Sequence, residues 1–145
     1  MLSKADPKSI LELGLGQSTH MITQYAAANP DVQHIVTEQN TQWIEFFRKD
    51  HDVAPNTTIK LLDCVESSYK DDPKVNMYCN FKEEVGNQKY DLICIDAPTQ
   101  NGISKYHRVD VLSILPDSLA EDFVIMLDDF ERRPKRILPK RFPLY

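Results

Sequence analysis

The chain has 145 residues, 41% hydrophobic and 27% charged, a globular composition long enough for one domain with a layered core. No apolar run approaches the roughly eighteen residues of a membrane-spanning helix, and the opening MLSKADP lacks the apolar stretch of a secretory signal. Residues 1–130 carry 11 Lys and Arg against 21 Asp and Glu, whereas residues 131–145 carry six bases and one acid; so acidic a body excludes wrapping a nucleic-acid backbone.

Five strand-like runs are predicted, at 9–13, 33–38, 57–63, 90–96 and 122–129. The fourth, around Leu92-Ile93-Cys94-Ile95, is continuously apolar, as in a strand covered on both faces. Helical patterns fill the gaps. Ser18 is placed to cap a helix carrying Met21, Ile22, Tyr25 and Ala26, stopped by Asn29-Pro30. Asn40 or Thr41 is placed to cap a second, with Trp43, Ile44 and Phe47 on one face, and a third is predicted from His107 to the break at Pro116. Strand starts 24 to 33 residues apart with helices between them are the rhythm of βαβ units, so the expected fold is α/β, a Rossmann-like three-layer sandwich on a mainly parallel sheet. Residues 64–89 break the rhythm: a polar loop, an extended piece at 75–79 that either joins the sheet or folds as a flap, and a helical turn at 81–85. The basic tail, 131–145, holds three of the nine prolines and reads as an arm apart from the domain at 1–130. Cys64, Cys79 and Cys94 are an odd set without a CxxC pair, which fits reduced thiols in a cytoplasmic compartment.

Two of the four glycines fall in Glu12-Leu13-Gly14-Leu15-Gly16-Gln17-Ser18, between the first strand and the first helix. Glycine there lets the backbone turn and approach a ligand, and the helix start supplies free N–H groups. Glu38 ends the second strand, 24 residues after Gly14, where an acid can accept ribose hydroxyls. Glu12 stands on an otherwise apolar strand, where a carboxylate is costly unless it serves donors or a cation. A dinucleotide fingerprint would need a third glycine where the chain has Thr19. The set therefore favours a cofactor with adenosine and a positive centre over NAD.

These motifs, with Tyr90 to Pro98 and Phe123 to Asp129, resemble the class I S-adenosylmethionine-dependent methyltransferases, particularly small O-methyltransferase-like members. The resemblance covers residues 9–130 and implies strand order 3-2-1-4-5. It implies that Gly14, Leu15, Gly16, Gln17 and Ser18 line the methionine portion of S-adenosyl-L-methionine, with Glu12 near its ammonium. Glu38 would hold the ribose and Gln39 would flank the adenine, with Asp63 and Cys64, or Asn80 and Phe81, at the adenine edge and face. Members usually complete a seven-stranded sheet with a helix and a hairpin after strand five. This chain stops about sixteen residues after Asp129, so it reads as truncated relative to them.

Methyl transfer from a sulfonium is an in-line displacement in which a protein aligns the acceptor and helps remove its proton. Asp96, beside Ala97 at the end of the fourth strand, is the candidate for that work, with His107 as an alternative base. Asp96, Asp128 and Asp129 form a candidate magnesium trio, matching the acids of cation-dependent O-methyltransferases. The expected activity is methylation of a small molecule at oxygen. A cofactor-binding module without catalysis and a nicotinamide-dependent oxidoreductase are the alternatives. A sheet ending at strand five leaves an unpaired edge, so a homodimer or larger assembly is expected.

Overall fold

The computed structural model describes residues 2–99 and 104–128. Every stretch read as a strand forms one, and the sheet is built around the first. β1 (Ser9–Leu13) lies between β2 (Gln33–Glu38) and β6 (Tyr90–Ile95), with β3 (Thr57–Leu61) beyond β2 and β7 (Leu119–Leu127) beyond β6. All four pairings are parallel, so the order β3-β2-β1-β6-β7 is the expected 3-2-1-4-5 arrangement once the five sheet strands are counted alone. The remaining strands, β4 (Cys64–Tyr69) and β5 (Asp72–Tyr78), pair with each other in a separate antiparallel hairpin.

The alternation of side chains along β1 divides the core. Leu11 and Leu13 point to one face, where Ile93, Ile95, Phe81, Val85, Val111 and Ile114 meet them. Ile10 points to the other, against Ile22 and Ala26 of α2 (Gln17–Ala28). Further along that second face Leu15 and Val36 pack on Ile44 and Phe47 of α3 (Thr41–Asp50). Each such apolar side chain contributes about 1.5–3 kcal/mol on burial, which is what holds the strands in a register that also buries Glu12 and His34. Short helices flank these elements: α1 (Leu2–Ala5) before the sheet and α4 (Phe81–Val85) before β6.

Three expectations need correction. The helix from His107 to Pro116 is only a 3-10 turn, Asp110–Ser113. Arg108 sits at φ 56°, which breaks a helix before it starts, and the buried Asp110 carboxylate is tied to the Tyr78 N–H at 2.7 Å. Ser18 does not cap α2; Gly16 stands at the cap position, and the Ser18 hydroxyl donates to Glu12 instead. The polar loop expected after residue 64, at 66–74, is instead paired strand, with only residues 70–71 turning between β4 and β5.

A lone hairpin is marginal in water, and this one is clasped from three sides. The Asp72 carboxylate accepts the Ser104 hydroxyl at 3.1 Å and the N–H groups of Lys105 and Tyr106. The Asn76 amide donates to the Thr99 carbonyl at 2.9 Å, and the Asp110–Tyr78 bond closes the base. The hairpin therefore anchors Thr99, after β6, and residues 104–106. Among the described residues no helix is long and apolar enough to cross a membrane. The 131–145 tail lies outside the described residues.

Candidate functional site

Two clefts open at the carboxyl ends of the strands, and Asp96 lines both. The larger, about 450 Å³, has Glu12, Gly16, Gln17 and Ser18 on one side and Met126 and Asp128 on the other. The smaller, about 260 Å³, is bounded by Leu15, Glu38, Gln39, Trp43, Ala97 and Thr99. The glycine loop is the ridge between them.

Each peptide group of that ridge is tied down. The Gly14 N–H donates to the Thr37 carbonyl at 2.9 Å. The Leu15 N–H goes to Glu38 Oε2 at 3.0 Å, and the Leu15 carbonyl accepts the Trp43 indole N–H at 2.7 Å. The Gly16 N–H goes to the Thr19 hydroxyl at 2.9 Å. Gly14 stands at φ +100°, and a Cβ there would lie 2.9 Å from the Ala97 Cβ, so glycine is required by the turn and by the neighbouring strand. Gly16 differs. Its backbone is extended, and a Cβ would meet nothing within 4 Å. The space beside Gly16 belongs to the larger cleft.

The two acids expected to hold cofactor face opposite sides of the ridge. Glu38 is buried, with Oε1 taking the N–H groups of Gln39 at 2.8 Å and Asn40 at 3.0 Å. Oε2 has one protein donor, Leu15, and retains a lone pair toward the smaller cleft. Glu12 is 1% exposed; Oε1 receives the Ser18 hydroxyl and Oε2 contacts His34 Nε2 at 3.1 Å. Burial pushes the Cys94 thiol up to about 12, and the Glu12 charge adds to the effect. These residues fit an adenosyl sulfonium amino acid: hydroxyl acceptors in one cleft, a buried carboxylate in the other, and an open glycine between. They fit a dinucleotide less well, because Thr19 stands at the third glycine position and its hydroxyl takes the Gly16 N–H.

The remaining expected residues divide. Gln39 and Cys64 meet, the thiol donating to Gln39 Oε1 at 3.4 Å, beside Glu38. Asp63 is exposed at the turn before the hairpin. Phe81 is core, stacked on Tyr78, and presents no free face. His107 lines neither cleft and points its Nε2 at the Ser104 carbonyl, 2.9 Å away. Asp96 Oδ1 pairs with Arg108 Nη2 at 2.8 Å, and Arg108 also donates to the Asp128 carbonyl. The Asp96 side chain remains about half exposed beside that guanidinium. Asp129 lies outside the described residues, and among those described no three His, Cys, Asp or Glu side chains are grouped to hold a metal. With Asp129 outside the described residues, the structure neither assembles nor breaks the expected trio, and no step is routed through a metal.

Sequence reasoning missed four contributors: Arg108, Thr19, Trp43 and His34. Thr19 was legible only as a departure from a glycine pattern. The other three act through contacts between elements distant in sequence.

No family model matches the chain, and no curated protein matches it. A solved structure from Staphylococcus aureus, provisionally described as a caffeoyl-CoA O-methyltransferase, is similar in fold at TM-score 0.52 and 20% identity. The match covers 88% of this chain and 52% of the other, so the chain spans about half the length of that protein.

Proposed function

We propose that the chain binds S-adenosyl-L-methionine and transfers its methyl group to the oxygen of a small-molecule acceptor. The observation that carries this reading is the pair of buried acids on opposite sides of one glycine ridge, with empty space at Gly16. Glu38 would take the ribose hydroxyls, Gln39 and Cys64 would border the adenine, and Glu12 with Ser18 would face the ammonium. The cofactor supplies a methyl group on a positively charged sulfur. The protein supplies orientation and the proton path.

Asp96, which lines both clefts, is the proposed contact for the acceptor hydroxyl. Its pairing with Arg108 fixes the carboxylate, so its proposed part is to align the acceptor. A cofactor-binding module without catalysis is the second reading, favoured by that same ion pair. Calorimetry with S-adenosylhomocysteine and with NAD tests the binding claim. Heat with NAD alone would overturn it, and a methyl-transfer screen then separates enzyme from binding module.

A further inference from the structure

Glu12 lies at one end of a buried polar chain that crosses the domain. His34 Nε2 is 3.1 Å from Glu12 Oε2, and His34 Nδ1 is 3.1 Å from the Thr57 hydroxyl. The Thr57 and Thr23 hydroxyls are 3.1 Å apart, and Thr23 accepts the Ala54 N–H at 2.8 Å. His34 is 1% exposed, and both threonines are buried. So many polar groups in a core that could have been apolar call for a reason, since such burial is costly unless each group is matched.

The hydrogen bonds fix the direction of the chain. A carboxylate only accepts, so Nε2 carries the proton that it donates to Glu12. With Nδ1 as acceptor, Thr57 donates to His34, Thr23 donates to Thr57, and Ala54 donates to Thr23. Every donor then has an acceptor. This arrangement puts a ring N–H on Glu12 and a hydroxyl on the ring's other nitrogen. The ring N–H holds the Glu12 carboxylate in place beside the larger cleft.

Resting on the reading of the larger cleft as the amino-acid end of the cofactor site, we infer that His34 is a positioning residue for the cationic group bound at Glu12. Thr57, in β3, and Thr23, on α2, hold the ring from its other nitrogen. The chain thus tunes recognition of an ammonium-bearing ligand without touching that ligand.

The test uses the full chain and two probes, S-adenosylhomocysteine and 5′-methylthioadenosine, which shares the nucleoside and sulfur but lacks the amino acid. Trp43, the single tryptophan, lines the nucleoside cleft, and its fluorescence reads both. His34→Leu is expected to weaken S-adenosylhomocysteine about tenfold or more, as for loss of a hydrogen bond to a charged group, with methylthioadenosine changed less than about twofold. His34→Gln, which can present an N–H near the same place, is expected to restore most of the loss. If His34→Leu fails to fold, Thr57→Val keeps the imidazole and is expected to give a smaller loss with the same split between probes. Equal weakening of both probes would make the chain merely structural and overturn the inference, as would tighter or unchanged binding of S-adenosylhomocysteine. A parent protein that binds methylthioadenosine but not S-adenosylhomocysteine would overturn it too, while one that binds neither would bring down the reading of the cleft itself.

Discussion

The indole N–H of Trp43 donates to the carbonyl of Leu15 at 2.7 Å, across 28 positions of sequence. The same Leu15 gives its N–H to Glu38, so the end of β2 and the start of α3 together grip the glycine loop by both polar groups of one residue. Trp43 remains 39% exposed and stacks on Phe46, which is unusual for so large a ring unless its position serves the loop.

Trp43→Phe keeps the ring and removes the donor. A neutral hydrogen bond is worth about 1 kcal/mol net, so S-adenosylhomocysteine affinity should fall about fivefold, with the thermal midpoint little changed. Calorimetry reads the affinity, and an unaltered value would show that the loop holds itself.

The two loop glycines should fail in different ways. Gly16→Val places a side chain in open space on an extended backbone, so the protein should fold normally and lose ligand binding. Gly14→Ala forces a Cβ to a φ of +100° and against Ala97, so it should lower stability by about 1–3 kcal/mol. Urea unfolding alongside calorimetry distinguishes them, and a Gly16→Val protein that binds normally would place the ligand elsewhere.

Glu38 has two duties, and a substitution separates them. Glu38→Gln keeps an acceptor but exchanges charge for an amide that also donates, against N–H groups from Leu15, Gln39 and Asn40. Binding should weaken by about 1–3 kcal/mol, the range for a charge-assisted pair, and stability should fall as well. An unchanged affinity by calorimetry would remove Glu38 from the ligand site.

The five strands and their parallel pairing were readable because βαβ units write themselves into sequence as evenly spaced apolar runs, and Leu92 to Ile95 needed no partner information to be read, whereas the order of the strands was implied by the resemblance alone. Gly14, Glu12 and Glu38 were readable because a strand-to-helix turn and a buried acid are local anomalies. The hairpin and the Asp110–Ser113 turn were not, because what fixes them is non-local: Asp72 reaches 32 residues to Ser104, and Asp110 reaches 32 to Tyr78. His34 showed no partner in sequence for the same reason, since Glu12 and Thr57 come to it from neighbouring strands.

Among the described residues β7 is an edge of the sheet, and Val124 and Met126 are 47% and 38% exposed on one of its faces. An open edge beside apolar side chains invites pairing with a second copy of the chain. Light scattering at micromolar concentration should report a dimer, and Val124→Lys should shift it toward monomer. A monodisperse parent monomer would defeat the expectation.

The last prediction concerns Asp110, which is 1% exposed. One of its oxygens holds the Tyr78 N–H, and the other has no hydrogen-bond partner among the described residues. Burial raises its pKa from 3.8 to about 6, with the Tyr78 bond opposing the shift. In the unfolded chain the carboxyl titrates near the ordinary value, so the folded state binds the proton more tightly. The stability that follows is present in full below about pH 4 and is lost as pH rises through about 6. The difference amounts to about 3 kcal/mol over that window. Asp110→Asn keeps an acceptor for Tyr78 and has no charge to bury, so it should abolish this component. Asp6 and Asp71 are held below the usual carboxylate range, chiefly by hydrogen bonds from Lys8 and Lys105, and they act in the opposite direction but equally in both proteins. Urea unfolding of parent and Asp110→Asn at pH 4.5 and 7.5 should therefore show the variant gaining on the parent as pH rises. Parallel pH profiles would mean that the folded protein hydrates this carboxylate or finds it a partner.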